Sequence, residues 1–352
     1  MIPTYDKIHL KFKLNSNSFT KDELNEVAYS LIKEGEPFER VLGDFLLDWL
    51  DGKSFIEVKT SGSTGSSKTI YVSKQAMVNS AISTGDYFKL EPGDTALHCL
   101  PSHFIAGKMM LVRAMILGLE LDLVAPSSAP VFNTNKAYTF CAMVPMQLQN
   151  SIEKINNFKT MIVGGAAVSN GIVKQLKNTN CKVYATYGMT ETLSHIAIKA
   201  LNGAEKQTHY NLLNNITISK DDRDCLVVEA PNLTEEIITT NDIVELHSET
   251  SFNIIGRFDN MINSGGVKVF PEQVEAKLQG KIDARFFIAG IPDDTLGEKV
   301  ILVVEGLSHK ITPSVFKGLQ KFEIPKEIFT IETFIETPTQ KLQRSKTLAL
   351  LK

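Results

Sequence analysis

The chain has 352 residues, 43% of them hydrophobic and 22% charged, the balance of a protein that buries a real core. Its 37 Lys and Arg against 40 Asp and Glu leave a net charge of −3, so no electrostatic argument points to nucleic acid or an anionic membrane as the main partner. Four cysteines (Cys99, Cys141, Cys181, Cys225) without a Cys-x-x-Cys pair argue against a zinc ribbon or a small disulfide scaffold, and reduced buried thiols are expected. The most apolar stretch, 109–123, contains Arg113 and Glu120 and is too short to cross a bilayer. Residues 1–14 lack the continuous apolar run of a signal peptide, so a cytoplasmic protein without membrane insertion is expected.

Apolar residues alternate at Ile8, Leu10, Phe12 and Leu14, which predicts a half-buried strand. Thr20 stands three residues before Glu23, a capping-box pattern, and Gly35 closes the helix it predicts. From Ser54 onward, strand-like runs at 55–60, 95–100, 119–125, 138–144, 160–163 and 182–185 alternate with helical stretches at 73–88, 107–117, 145–155 and 169–178. That alternation predicts an α/β domain with a largely parallel sheet. Between Cys225 and Arg257 short strands follow one another, as in a small antiparallel subdomain. Beyond a boundary at 257–260, a strand over 267–270, a helix opened by Pro271 and strands near 286–291 and 300–305 predict a smaller α+β domain. The expected division is 1–257, a hinge at 258–260, and a mobile C-terminal domain over 261–352.

Three segments carry chemistry. Thr60-Ser61-Gly62-Ser63-Thr64-Gly65-Ser66-Ser67-Lys68 follows a predicted strand; its small residues let backbone N–H groups approach an anion, and Lys68 adds charge. A Ser/Gly surface loop is the plain alternative. A Walker A loop is the sharper one, but Ser67 stands where that loop needs its second glycine. Tyr187-Gly188-Met189-Thr190-Glu191-Thr192 ends another strand, a place where a carboxylate can hold Mg²⁺ against phosphates or simply sit in a solvated turn. Gly256-Arg257-Phe258-Asp259-Asn260 running to Gly265-Gly266 and Val269-Phe270-Pro271-Glu272 suits a nucleotide contact followed by a mobile loop, or a structural linker.

In this order the three segments resemble the acyl-adenylate-forming superfamily of acyl- and aryl-CoA synthetases, luciferases and adenylation domains. The hinge segment carries the most specific part of the likeness, with Gly256, Arg257, Asp259, Gly265, Gly266, Val269, Pro271, Val274 and Glu275 in place. The resemblance extends from about residue 60 to Lys352 and implies ATP, Mg²⁺ and a small-molecule carboxylic acid as ligands, with CoA as co-substrate. By resemblance, Ser61, Gly62, Ser63, Thr64, Gly65 and Lys68 cradle the β- and γ-phosphates, and Thr190 and Glu191 take the α-phosphate and the metal. Gly164, Gly165 and Ala166 line adenine and the acyl pocket, Tyr187 and Gly188 also bind ATP, and Asp242 and Arg257 grip the ribose. His103 is similar to a gate residue between the ATP and acid sites, Asp259 to the hinge residue, and Gly265 and Gly266 to a loop serving CoA. Lys341 aligns with the lysine that bridges carboxylate and α-phosphate, spaced from Arg344 as in Gly-Lys-x-x-Arg but with Gln340 for the glycine; Lys346 is its rival.

The phosphate loop comes early, which by resemblance implies a shortened N-terminal part of the large domain. Within the superfamily the chain is most similar to compact bacterial o-succinylbenzoate–CoA ligases of menaquinone biosynthesis. A dicarboxylate substrate would need a donor-rich pocket for its second carboxylate, for which Lys108, Arg113 and His195 are candidates. Ligases for other acids, enzymes loading a carrier protein, and a catalytically silent nucleotide-binding homologue remain the alternatives.

Overall fold

The computed structural model describes residues 2–59, 68–307, 311–337 and 341–351. Thr20 caps the helix Lys21–Glu34 as its sequence predicts: its hydroxyl accepts from the Glu23 N–H at 3.3 Å while the Glu23 carboxylate accepts from the Thr20 N–H at 2.7 Å. A second helix, Pro37–Leu50, follows at once. It was not anticipated, although Pro37 at its first turn and Leu42, Phe45, Leu46 and Trp49 at helical spacing announce it. The two helices cross closely at Gly43, where a Cβ would lie 2.5 Å from the Ala28 carbonyl. Their apolar faces join the main core with Met109, Val112 and Met115.

The strand expected over Ile8 to Leu14 shrinks to Lys13–Leu14. The chain turns at Leu10, closed by the Phe12 N–H on the His9 carbonyl at 2.9 Å, and leaves Leu10 97% exposed. Alternation alone could not distinguish that turn from a strand.

Lys13–Leu14 opens the parallel part of a thirteen-stranded sheet, continuing through Glu120–Leu123, Thr95–His98, Tyr138–Met143, Phe158–Val163 and Lys182–Gly188. The helices Lys74–Phe88 and Ile105–Leu117 pack on each other beside it. The strand expected at 55–60 does not enter this sheet: Phe55–Lys59 forms an antiparallel hairpin with Thr69–Ser73. Helices expected over 145–155 and 169–178 each break into a short α-helix and a 3₁₀ turn.

Beyond Gly188 the sheet continues antiparallel through His195–Ala200, Tyr210–Leu212, Ser251–Arg257, Ile238–Ser248, Cys225–Glu229 and Thr217–Lys220. The β region expected as a subdomain thus extends the main sheet edge to edge. Strands after Arg257 pair separately: Ile262–Ser264, Val267–Val269, Phe286–Asp293, Gly297–Glu305 and Glu327–Ile331 form a five-stranded sheet under the helix Pro271–Leu278. Val274 and Leu278 pack there against Ile262, Ile288 and Leu302. All four cysteines are free and buried. Among the described residues no helix is long and apolar enough to cross a membrane.

His98 ends a central parallel strand, 2% exposed, with Nε2 2.9 Å from the Ser102 hydroxyl and Nδ1 unpaired. Burial pulls its pKa down to about 4. The unfolded chain therefore binds this proton more readily, and the stability His98 confers when neutral is lost as pH falls from about 6.5 toward 4. Going from pH 7 to pH 5 should cost roughly 2 kcal/mol, with His195, also depressed by burial, adding in the same direction. Urea unfolding at the two pH values checks this, and His98→Gln should flatten the slope.

Candidate active site

The parallel strands end on one side, where α/β sheets bind ligands. Gly164 follows Phe158–Val163; a Cβ there would sit 2.5 Å from Thr186 Oγ1. Gly165 adopts φ +85°, a backbone state that glycine enters at little cost. Ala166 is exposed beside them.

One strand over, Tyr187 donates its hydroxyl to Asp242 Oδ2 at 2.6 Å. Burial, then the Asp242 charge, pushes the phenol well above its usual range, so Tyr187 remains a donor. Asp242 and Arg257 are direct cross-strand partners. Arg257 Nη1 donates to Asp242 Oδ1 at 3.1 Å and Nη2 to Asp259 Oδ2 at 2.9 Å. A carboxylate and a planar guanidinium fixed side by side can together hold a vicinal diol.

Lys341, in the C-terminal tail, lies within electrostatic reach of this pair. Burial first, and then the positive charge of Arg257, lower its pKa, against an opposing pull from Asp242. The tail is anchored by Arg344, whose guanidinium meets both oxygens of Glu275 at 2.6 and 2.7 Å and the Ile288 carbonyl at 2.9 Å. The Lys341 N–H donates to Thr337 Oγ1 at 3.0 Å. Lys346 points outward from the helix Arg344–Leu348 and is exposed.

The segment 189–194 joins two antiparallel strands as a hairpin, with no helix after it. Thr192 is fully buried and ties the turn: Oγ1 accepts from the Met189 N–H at 3.0 Å and donates to the Ser194 carbonyl at 2.8 Å. Thr190 is half-buried, and Glu191, at the turn, is exposed. Among the described residues no cluster of three metal-ligating side chains occurs. A single accessible carboxylate nevertheless fits Mg²⁺, which commonly takes one or two protein carboxylates and completes its octahedron with phosphate oxygens and water.

Under this turn lies a buried polar cluster. Arg113, 2% exposed, donates from Nε to Thr84 Oγ1 at 3.2 Å and from Nη2 to Ser194 Oγ at 2.5 Å. His195 completes it, with Nδ1 3.2 Å from Ser194 Oγ and Nε2 3.4 Å from Thr84 Oγ1. Burial, then the Arg113 charge, drives His195 well below its usual pKa, leaving it neutral. Burial also lowers Arg113, to about 9, so it stays charged at neutral pH. Among the described residues no carboxylate pairs with it.

The structure separates Lys108 from this cluster. Lys108 and Arg113 lie five residues apart on one helix, about 140° around its axis. The Lys108 ammonium sits 4.6 Å over the Phe45 ring, near Asp44 and Asp48, against the N-terminal helices. One pocket containing all three candidates is therefore not formed. His103 lies exposed before that helix, its ring 3.9 Å from Phe104; burial and the Lys108 charge lower its pKa.

Ser61, Gly62, Ser63, Thr64 and Gly65 lie outside the described residues. The ends of their segment, Lys59 and Thr69, are register partners in the hairpin, and Lys68 is exposed at its exit. A strand after Lys68, where a P-loop would start a helix, excludes the Walker A reading. Gly265 and Gly266, at φ +62° and +80°, make a two-residue hairpin turn between Ile262–Ser264 and Val267–Val269, a tighter structure than the expected loop. Sequence reasoning missed Thr84 and Ser194, which carry no motif. It also missed Asn241, whose only signal is its place beside Asp242.

The sheet that carries the Asp242–Arg257 pair on its antiparallel extension is that of a mixed α/β fold. An AMP-binding enzyme family matches residues 59–231. An acyl-CoA synthetase (AMP-forming)/AMP-acid ligase II-like protein from Dyadobacter fermentans is 35% identical, with a TM-score of 0.62, covering 93% of this chain and 98% of its own. The chain belongs to this AMP-binding enzyme family. Staphylococcus aureus 2-succinylbenzoate–CoA ligases are 27% identical over 322 residues, covering 82% of this chain. The chain spans 65% of their length. The Bacillus subtilis O-succinylbenzoate coenzyme A synthetase, solved with ATP and magnesium ion, shares the fold at 19% identity and a TM-score of 0.73, covering 94% of this chain and 82% of its own.

Proposed function

We propose that the chain is an AMP-forming acid–CoA ligase that works through an acyl-adenylate, with 2-succinylbenzoate as its acid. The observation that best supports this reading is the Asp242–Arg257 pair, whose charges the tail lysine Lys341 feels: a cation there would stand near the α-phosphate of a nucleotide whose ribose the pair held. Asp242 and Arg257 would hold the ribose, and Gly164, Gly165 and Ala166 the adenine side. Residues 61–68 would hold the outer phosphates. Mg²⁺ held by Glu191 would neutralise phosphate charge. The substrate carboxylate is already a nucleophile, so positioning and charge stabilisation at phosphorus supply most of the rate. Attack at the α-phosphorus forms the acyl–phosphate bond and expels pyrophosphate; a CoA thiol then attacks the acyl carbon and expels AMP.

Residues 261–352 would turn as a unit about 258–260, withdrawing Lys341 and presenting the Gly265–Gly266 turn, so that one site serves both steps. The separate pairing of the two sheets on either side of Asp259 supports this division. Arg113, charged, buried and without an acidic partner among the described residues, supports an acid with a second carboxylate, as does the kinship with 2-succinylbenzoate–CoA ligases.

Incubation with 2-succinylbenzoate, MgATP and CoA should give AMP, pyrophosphate and an acyl-CoA in equal amounts. Formation of ADP, or turnover only with unrelated monocarboxylates, would overturn the reading. The depressed Lys341 adds a pH signature. Its amine must be protonated to act, so kcat/KM for ATP in the adenylation half should fall on an alkaline limb below the ordinary lysine range of about 10.4. Lys341→Arg should move that limb upward.

A further inference from the structure

Asp259 is held from one side by a chain of contacts that starts in the turn 221–224, far from the nucleotide grip in sequence. Asp221 fixes Arg223: Oδ1 accepts from the Arg223 N–H at 2.9 Å, and Oδ2 from Nε at 2.8 Å and Nη2 at 2.7 Å. The guanidinium then reaches in two directions. Nη1 donates to Asn241 Oδ1 at 2.9 Å and Nη2 to the Thr240 carbonyl at 3.2 Å, while its central carbon lies 5.0 Å from the centroid of the Phe258 ring.

The polarity of the chain follows from donor chemistry. Arginine has only donors, so Asn241 must turn its oxygen toward Arg223 and its NH₂ the other way. That NH₂ donates to both oxygens of Asp259 at 3.2 Å. Arg223 thus dictates which face of Asn241 meets the Asp259 carboxylate, and it braces the neighbouring Phe258. Every anchor in this chain up to Thr240 and Asn241 belongs to the thirteen-stranded sheet or its turns; Phe258 and Asp259 lie in the 3₁₀ turn that leads to the other sheet.

We infer that Arg223 is a positioning residue for the domain turn, holding Asp259, through Asn241 and Phe258, in the arrangement that keeps Lys341 beside Arg257 and Asp242. The inference rests on the proposed turn about Asp259. Loss of Arg223 releases Asn241 to rotate and frees the hinge, depleting the arrangement competent for adenylation without touching nucleotide or acid.

Two readouts test it on the full chain. Spin labels on Glu235→Cys and Lys281→Cys, both exposed, report the distance between the two sheets, the native cysteines being buried. Arg223→Ala should deplete the distance population of the unsubstituted chain and slow adenylation about tenfold, the scale of a lost hydrogen bond to a charged group, with the thioester step from supplied acyl-adenylate unchanged. Asn241→Leu should do the same, and the double variant should do no more than either single one. Arg223→Lys should recover part of the effect, since one ammonium can reach Asn241 but cannot fork to Thr240. Unchanged distances with intact adenylation, additive variants, or both half-reactions falling together would each overturn the inference. If the unsubstituted chain activates no acid, the ligase reading fails, and the label distances still decide the role of Arg223.

Discussion

Lys341→Ala is expected to slow acyl-adenylate formation by about 10²–10³-fold, the usual scale for removing one donor aimed at transition-state charge, while conversion of supplied acyl-adenylate to acyl-CoA proceeds at close to its normal rate. The asymmetry follows from where the lysine sits. In the arrangement described, Lys341 is half-buried and feels both Arg257 and Asp242, so in the proposed mechanism its charge would serve the step in which negative charge builds on phosphorus. Burial first, and then Arg257, make an ammonium there costly, and an anionic nucleotide entering the site would offset that cost. The second step needs no cation at this position if the tail has turned away. Pyrophosphate exchange measures the first half and acyl-CoA release from synthetic acyl-adenylate the second; equal losses in both would remove Lys341 from the bridging role. Lys346→Ala, altering an exposed residue of the following helix, should leave both halves unaffected. The anchor Arg344 offers a contrast: Arg344→Ala leaves the Glu275 carboxylate buried without its partner, and should damage stability as well as rate.

The parts legible in the sequence are those whose physics is local. Thr20 and Glu23 announce a helix start because the capping box closes within four residues, and Pro271 announces another because its ring suits the first turn. Strand positions followed from β-rich runs, but their partners did not. Nothing near residues 55–59 says that they pair with 69–73 and stay out of the main sheet. Leu10 fails for the opposite reason: a single backbone turn, closed by the Phe12 N–H on the His9 carbonyl and tied by the His9 N–H to the Met115 carbonyl, exposes a side chain that alternation would bury. The site divides in the same way. Asp242 and Arg257 entered through a resemblance, and the structure supplies the reason they belong together, a cross-strand register. Arg113 and His195 stand with Lys108 in the sequence reading as donors for a second carboxylate, whereas helical geometry sends Lys108 to Phe45 and Arg113 to Ser194. Thr84 and Ser194 become visible only when three distant segments are folded against one another.

The second large effect concerns Arg113, where function and stability should move in opposite directions. A buried guanidinium that pairs with no carboxylate among the described residues bears a desolvation cost that its hydrogen bonds to Thr84 and Ser194 offset only in part. Met110 already lies beside it, with Sδ 3.8 Å from Nη1, so a methionine at this position has apolar company. Arg113→Met should therefore leave the thermal midpoint equal to or above that of the parent chain. Its effect on recognition should be severe: a dicarboxylic acid whose second carboxylate meets Arg113 would lose a buried charge-assisted pair worth about 2–5 kcal/mol, a fall of about 30-fold to several thousand-fold in kcat/KM. The benzoate analogue lacking that carboxylate should be used equally well by both proteins. Steady-state kinetics with the two acids, alongside a melting curve, separates the alternatives. A variant that melts much earlier and loses both acids alike would make Arg113 a structural tie for the 189–194 turn. A variant as stable as the parent that still prefers the dicarboxylate would place the second carboxylate elsewhere. Loss of discrimination in a protein as stable as the parent is the expected result, because a ligand's carboxylate would compensate a cation that no described carboxylate pairs.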